Sequence, residues 1–167
     1  MPLVSLKSKR AAVKTLAAQT VDKSGHAAPF SSDLAYERSS VAVPFGGCTE
    51  PSNVKAGGNA CPIRFQCAGC GFYRPDPSYL LPIEQHINDL RADRETARAM
   101  DAAEFVIAGL TGQIDSYSDI AATMRQRLAA MPEEERAEIE EASAIMRKTR
   151  ASGRTVLPLL PETDGAQ

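Results

Sequence analysis

The residues best suited to chemistry in this sequence are its four cysteines, Cys48, Cys61, Cys67 and Cys70. All four lie within one 23-residue stretch of the 167-residue chain, in the pattern C-x12-C-x5-C-x2-C. Four thiolates can close a tetrahedral zinc site, which stabilises a loop region too small to fold by itself. Four cysteines can also ligate an iron–sulfur cluster. We therefore predict a metal centre that holds Zn²⁺. An iron–sulfur cluster and four metal-free cysteines are the alternatives.

The residues between and beside the cysteines indicate a structural centre rather than a catalytic one. Cys67 and Cys70 enclose Ala68 and Gly69, the short spacing typical of a zinc knuckle, and Gly71 follows directly. Glycine pairs precede Cys48 (residues 46–47) and Cys61 (residues 57–58), where they would allow tight turns. A catalytic zinc keeps an open position and uses three protein ligands, whereas four equal ligands favour a closed site. We therefore predict no catalytic residues.

Other catalytic motifs are missing from the sequence. The two histidines, His26 and His86, lie far from the cysteines, and His86 is predicted on the exposed side of a helix. The stretch GGNACPIRF lacks the Gly-Lys-Ser/Thr ending of a phosphate-binding loop. No G-x-S-x-G nucleophile motif is present either.

The composition predicts a mainly α-helical protein. The sequence is 43% hydrophobic and 24% charged, contains no Trp, and is rich in Ala, Glu and Arg, which favour helices. It has no apolar run long enough for a membrane span and no visible secretory signal, so we expect no membrane contact and a cytoplasmic location. Cytosolic thiols stay reduced, which favours metal over disulfides. The expected fold is a small metal-bound loop region with four cysteine ligands, followed by a helical hairpin or short bundle.

Four regions follow from the pattern along the chain. Residues 1–40 form a basic helix, predicted over 3–20, and a linker that is loop over 22–40. Residues 41–79 form the four-cysteine metal-binding module, and residues 41–45 could start it as a short strand or as an extended segment. Residues 80–152 form a helical tail, and residues 153–167 a flexible C-terminus.

The helical tail shows periodic apolar residues. Ile83, Ile87 and Leu90 define one helix face, Pro132 predicts a helix start, and Gly153 predicts the end of that helix. A heptad seam lies between this helix face and Pro132. Two glycines inside the seam disfavour helix, so a bend or break is expected near residues 111–118. Such a seam packs either inside the protein's own core or against a partner helix. Its members are Met100, Ala103, Ile107, Leu110, Ile114, Tyr117, Ala121, Met124 and Leu128.

Positive charge is concentrated in the first half of the chain, although the net charge is -2. Residues 1–23 carry five basic side chains and one acidic side chain, so their helix could lie along a DNA backbone. Lys55, Arg64 and Arg74 flank the cysteines and are candidate phosphate contacts. The alternative for both groups is ordinary solvated charge.

Residues 45–80 resemble a segment near the C-terminus of bacterial tyrosine recombinases, the phage-integrase-like transposases and integrases of mobile elements. The matching motifs are C-T-E-P-x-N-V, G-G, C-P-x-x-F-x-C-x-x-C and D-x-S-Y-L, and the resemblance covers about residues 40–150 with the helical tail. It implies a non-catalytic, metal-stabilised module that contacts DNA. It also implies that the helical tail contacts other recombinase protomers or a partner helix.

The catalytic domain of that family is not expected in this sequence. The family uses an Arg, Lys, His-x-x-Arg and His set with a nucleophilic Tyr, and only forty-odd residues precede the cysteines here. Tyr36 is the one upstream tyrosine, and no H-x-x-R module precedes it. Two other interpretations stay open, an iron–sulfur redox or sensor protein and a truncated recombinase remnant without independent activity.

Overall fold

The fold is mainly helical, as the composition predicts. The structure is a computed structural model that describes residues 4–64 and 66–152, apart from the side chain of Asp33. This part of the chain contains six α-helices and one small three-stranded sheet. The helices are α1 (Leu6–Ala17), α2 (Asp33–Ser39), α3 (Pro51–Lys55), α4 (Leu80–Ala99), α5 (Glu104–Ala130) and α6 (Glu133–Ser152); the strands are β1 (Val41–Val43), β2 (Gly46–Cys48) and β3 (Tyr73–Arg74); a 3-10 turn covers Pro77–Tyr79.

The sheet is antiparallel in the order β1-β2-β3. A two-residue turn, Pro44–Phe45, joins β1 to β2, and Phe45 has a φ of 57°. A non-glycine residue at positive φ is strained, and the cost grows with a bulky side chain. The ring of Phe45 packs 4.8 Å from the ring of His86 and 6.2 Å from that of Tyr117, between ring centroids. These contacts offset the backbone strain and attach the sheet to α4 and α5.

The helices α4 and α5 form the predicted hairpin. Its inner half, residues 80–90 and 114–130, contributes to the main core, and its outer half, residues 91–113, includes the turn between the helices. Ile83, Ile87 and Leu90 are buried, as their spacing predicts. The core cluster joins the sheet, Cys48 and Cys67, and both helices, so the cysteine segment (residues 41–79) and the helical tail share one core. Its buried members include Val21, Val43, Cys48, Cys67, Tyr73, Ile83, Ile114, Tyr117, Ile120 and Met124.

The predicted heptad seam is buried only in the inner half of the hairpin. Ile114, Tyr117, Ala121 and Met124 are buried, but Met100 is 76% exposed because it lies in the turn between the two helices. α5 runs without interruption through residues 111–118, so no helix break occurs there. Between Leu90 and Ile114 the two helices have no buried residue, and the tip presents exposed apolar side chains, which are Met100, Phe105 and Val106.

The helices α1 and α6 pack together as a second unit. Thr15 Oγ1 donates to Glu138 Oε1 over 3.3 Å, and Gln19 Nε2 donates to Glu135 Oε1 over 3.5 Å, so the helices run antiparallel. Their shared core consists of Ala12, Leu16, Ile139 and Ala142. α6 begins just after Pro132, as predicted, whereas Gly153 and the predicted flexible C-terminus lie outside the described residues.

Residues 22–40 differ from the predicted loop because they contain α2. The hydroxyl of Ser32 accepts a hydrogen bond from the backbone N–H of Ala35 at 3.1 Å, which caps the start of this helix. The helix has only seven residues, too few for a periodic apolar pattern. Within the described ranges, no helix is both long and apolar enough to cross a membrane.

Candidate metal centre

Pairing of β2 with β3 brings three of the four cysteines to one end of the sheet. Cys48 ends β2 and pairs with Tyr73 of β3. The backbone N–H of Tyr73 donates to the carbonyl of Cys70 at 3.2 Å, and the N–H of Cys70 donates to the carbonyl of Cys67 at 3.0 Å. Gly69 has a φ of 77°, which this tight turn between Cys67 and Cys70 requires.

Cys61 reaches the same region by way of α3 and the loop after it. The Glu50 carboxylate caps α3 by accepting from the N–H of Asn53 at 2.6 Å. The amide oxygen of Asn53 then accepts from the N–H of Ala60 at 3.0 Å, next to Cys61. Gly57 and Gly58 have φ values of 62° and 93°, so the predicted tight turn before Cys61 is confirmed.

Packing brings three of the four cysteines together. Cys48 and Cys67 belong to the main core cluster, and Cys70 packs against it. Cys67 is 6% exposed, and burial is the main factor that raises the pKa of its thiol to about 12. Cys61, Cys70 and Cys48 raise this pKa further, so Cys61 lies near enough to act on the Cys67 thiol.

The donor set suits a thiolate-bound metal, although the thiols do not complete a coordination site. Among the described residues, no group of three or more His, Cys, Asp or Glu side chains is arranged to hold a metal ion. The backbone N–H of Glu50 donates to Cys48 Sγ at 3.5 Å, a contact that would stabilise a thiolate. The buried Asn53 Nδ2 has no hydrogen-bond partner in the described chain. Zinc and iron–sulfur binding thus stay predictions.

The glycines before Cys48 and after Cys70 serve different purposes from those predicted. Gly46 and Gly47 lie within β2 rather than in a turn. A Cβ added at Gly46 would lie 2.8 Å from Tyr73 Cε2 and 3.0 Å from Pro75 Cα, whereas at Gly47 the nearest atom would be 3.6 Å away. At Gly71 nothing lies within 4 Å, so crowding does not explain that glycine. The close approach of β2 to Tyr73 therefore requires glycine at position 46.

Gly46→Ala is expected to lower the free energy of unfolding by about 1–3 kcal/mol, because the new methyl group overpacks the contact with Tyr73 and Pro75. Gly47→Ala is the matched control. It adds the same methyl group one residue away, where there is space, and it should change stability by less than about 1 kcal/mol. Urea unfolding followed by circular dichroism measures both variants. Equal losses in the two variants would contradict the role assigned to Gly46.

The three predicted phosphate contacts lie in different settings. Lys55 ends α3 and Arg64 lies in the loop after Cys61, and both side chains are exposed. Arg74 is partly buried, and its Nη1 donates to the carbonyls of Gly71 and Tyr73, each at 2.8 Å. Arg74 thus braces the backbone after Cys70. A role of these residues in DNA binding stays a prediction.

An aromatic cluster beneath the cysteines has no signal in the sequence. The hydroxyl of Tyr73 donates to the carbonyl of Phe45 at 2.6 Å. His86 is predicted to be solvated, and this is wrong, because its ring is partly buried against Phe45 and lies 5.2 Å from the ring of Tyr117. His86 lies at the margin of the α4 face formed by Ile83 and Ile87. The Phe45 ring that covers His86 comes from the β1–β2 turn, so this contact forms only when the chain folds.

A second unpredicted cluster connects α6 to the segment after the cysteines. Asp76 is 2% exposed and accepts from the N–H of Ser78 at 2.8 Å, which caps the 3-10 turn. Burial raises the pKa of the Asp76 carboxyl, while Ser78 and Arg150 act in the opposite direction. Arg150 Nη2 lies 3.9 Å from Asp76 Oδ2, and the guanidinium lies 3.7 Å from the centroid of the Tyr79 ring.

Tyr36 lies beside this second cluster. Its ring packs edge-on against Phe30 at a centroid distance of 5.1 Å. Burial is the main factor that raises the pKa of its phenol, and Asp76 and Tyr79 add to the effect. A raised pKa keeps the phenol protonated and makes it a weaker nucleophile.

No protein family, curated protein or solved structure matches this chain.

Proposed function

We propose that this chain is a non-catalytic, metal-stabilised module for DNA interaction and assembly, similar to the tail of a site-specific tyrosine recombinase. The observation that carries the proposal is the packing of Cys48, Cys67 and Cys70 at one core cluster, with Cys61 near enough to raise the pKa of the Cys67 thiol. Exposed basic side chains, Lys55 and Arg64, flank the same loops. The resemblance of residues 45–80 to the recombinase segment supports a role on DNA.

In this proposal the four cysteines hold one Zn²⁺ ion. Bound by four thiolates, zinc would supply folding energy rather than catalysis, because a closed site leaves no position for substrate. The Glu50 N–H would stabilise the Cys48 thiolate, and Asn53 Nδ2 would gain an acceptor if a sulfur moved towards it. A protein purified with an iron–sulfur cluster would instead be coloured, so the absorption spectrum of the purified protein separates the two.

The DNA contact is proposed at the exposed loops around the cysteines. Neither Lys55 nor Arg64 forms an ion pair within residues 4–64 and 66–152. Both can therefore approach phosphates without breaking an existing ion pair. A net charge of -2 means that the whole chain does not attract DNA, so the contact depends on these local charges. Binding should therefore be weak and should fall steeply with salt.

A labelled DNA duplex titrated at several salt concentrations tests this contact by fluorescence anisotropy. The double variant Lys55→Gln/Arg64→Gln should weaken binding and reduce the salt slope by about 2, since each phosphate contact contributes about 0.9 to the slope. The control, Arg38→Gln/Lys148→Gln, removes the same charge from exposed positions on α2 and α6 that form no ion pair in the described residues. No binding at low salt, or equal losses in both double variants, would count against the proposed contact.

The assembly part of the proposal concerns the outer half of the α4–α5 hairpin. Its exposed apolar side chains, Met100, Phe105 and Val106, are 76%, 78% and 37% exposed. Beyond Leu90, α4 carries three basic side chains, Arg91, Arg94 and Arg98, against the acidic Asp93 and Glu95, and Glu95 pairs with Arg94 and Arg98. The charged side chains at the facing end of α5 are both acidic, Glu104 and Asp115. In a twofold-symmetric pair, the basic side of one hairpin can face the acidic side of the other. We therefore propose a second copy of this chain as the partner.

A further inference from the structure

A groove separate from the cysteine loops lies where the sheet, α4 and α6 meet. It is lined by Phe45, Tyr79 and Pro82 together with Arg147, Arg150 and Ala151 from the last turns of α6. The volume of the groove is ≈ 580 Å³. Small-molecule sites in proteins typically have volumes of roughly 300–1,000 Å³. The groove thus has room for a nucleotide-sized group.

The two arginines of this groove differ in how they are held. The guanidinium of Arg150 is fixed by the Tyr79 ring at 3.7 Å and by the Asp76 carboxylate at 3.9 Å. Arg147 forms no ion pair within the described residues and is partly buried at the groove. The two guanidiniums lie about one helical turn apart, and Arg147 has no carboxylate partner within the described residues. This part of the groove therefore carries net positive charge. Arginine suits phosphate because its planar fork can donate two hydrogen bonds to one group.

The apolar lining residues suit a flat apolar group. Phe45 and Pro82 present carbon surface, and the Phe45 ring is held in place by His86 and Tyr117 behind it. A ligand with a phosphate for the arginines and an apolar ring for Phe45 and Pro82 has the chemistry of a nucleotide. In a duplex the bases are stacked inside and cannot reach such a wall, whereas a single strand exposes both base and phosphate.

We propose that this groove binds a segment of single-stranded nucleic acid, with a phosphate at Arg147 and Arg150 and a base or sugar against Phe45 and Pro82. The inference rests on the proposed function and deepens it, because it adds a second site and names the form of nucleic acid that this site takes. It places single-strand binding at the C-terminal end of α6 and leaves duplex binding to the loops around Lys55 and Arg64.

The test uses the full chain and a fluorescein-labelled oligothymidine, with binding followed by anisotropy at several salt concentrations. Arg147→Gln should weaken binding about tenfold, the size of one charge-assisted contact. It should also reduce the salt slope by about 0.7, the value for one phosphate of a single strand. Lys148→Gln is the matched control, because it removes one charge from the neighbouring exposed position of the same helix. It should change affinity less than about twofold. Circular dichroism confirms that both variants fold.

The outcomes separate this inference from the duplex proposal. If the wild-type chain binds duplex but not oligothymidine, the groove inference fails and the duplex proposal stands. If Arg147→Gln and Lys148→Gln weaken oligothymidine binding equally, general charge attraction explains it and the groove is overturned. If polyaspartate competes as well as oligothymidine, the groove takes acidic peptide instead. Binding of oligothymidine through Arg147 without any duplex binding would support the groove and sink the duplex contact.

Discussion

Cys67→Ser is expected to abolish metal binding and to unfold the region around the cysteines. Structural zinc contributes about 10–16 kcal/mol of binding free energy in small zinc-dependent peptides, which matches or exceeds the whole stability of a typical domain, about 5–15 kcal/mol. Cys67 is part of the main core, and the other three cysteines all raise the pKa of its thiol. Metal content per chain and the thermal unfolding midpoint measure the effect.

Burial of a serine hydroxyl also costs stability, so the loss alone does not prove a metal role. The discriminating comparison treats wild type and Cys67→Ser with a chelator in the presence of reductant. Chelation should lower the midpoint of wild type and leave that of Cys67→Ser unchanged, because the variant has no metal to lose. If chelation changes neither protein, or shifts both equally, the four cysteines do not hold a structural metal.

Met124→Ala is expected to lower the free energy of unfolding by about 2–5 kcal/mol. Met124 is 1% exposed in the core between the sheet, α4 and α5, so truncation leaves a cavity. Met100→Ala makes the same chemical change at a residue that is 76% exposed, and should cost less than about 0.5 kcal/mol. Both methionines belong to one predicted heptad seam, which makes them a matched pair. Urea unfolding of dilute protein measures both.

The same pair of variants tests the proposed assembly. If a second copy covers the hairpin tip, sedimentation of wild type at high concentration should show species heavier than one 17.9 kDa chain. Met100→Ala should weaken that association, because it removes apolar surface from the contact. Wild type that sediments as a single chain at all concentrations would contradict the assembly proposal. Similar losses of unfolding free energy in Met100→Ala and Met124→Ala would contradict the assignment of Met100 to an exposed tip.

The sequence by itself determined the helical class and the elements with strong local signals. Ile83, Ile87 and Leu90 are buried as their spacing predicts, and α6 begins directly after Pro132. These features depend on hydrophobic periodicity and on helix start signals within a few residues, and both can be read directly from the sequence. The clustering of four cysteines also pointed to the segment that contributes Cys48 and Cys67 to the main core.

Only the tertiary structure decided which apolar residues face the core and how the site is supported. One periodic pattern included both Met100 and Met124, and the position of the inter-helix turn separates an exposed residue from a buried one. Gly46 is required by Tyr73, His86 is covered by Phe45, and Arg150 is held by Asp76. Each pair lies at least 27 residues apart in the sequence. Such contacts follow from how elements pack on one another, and no local pattern of residue types encodes them.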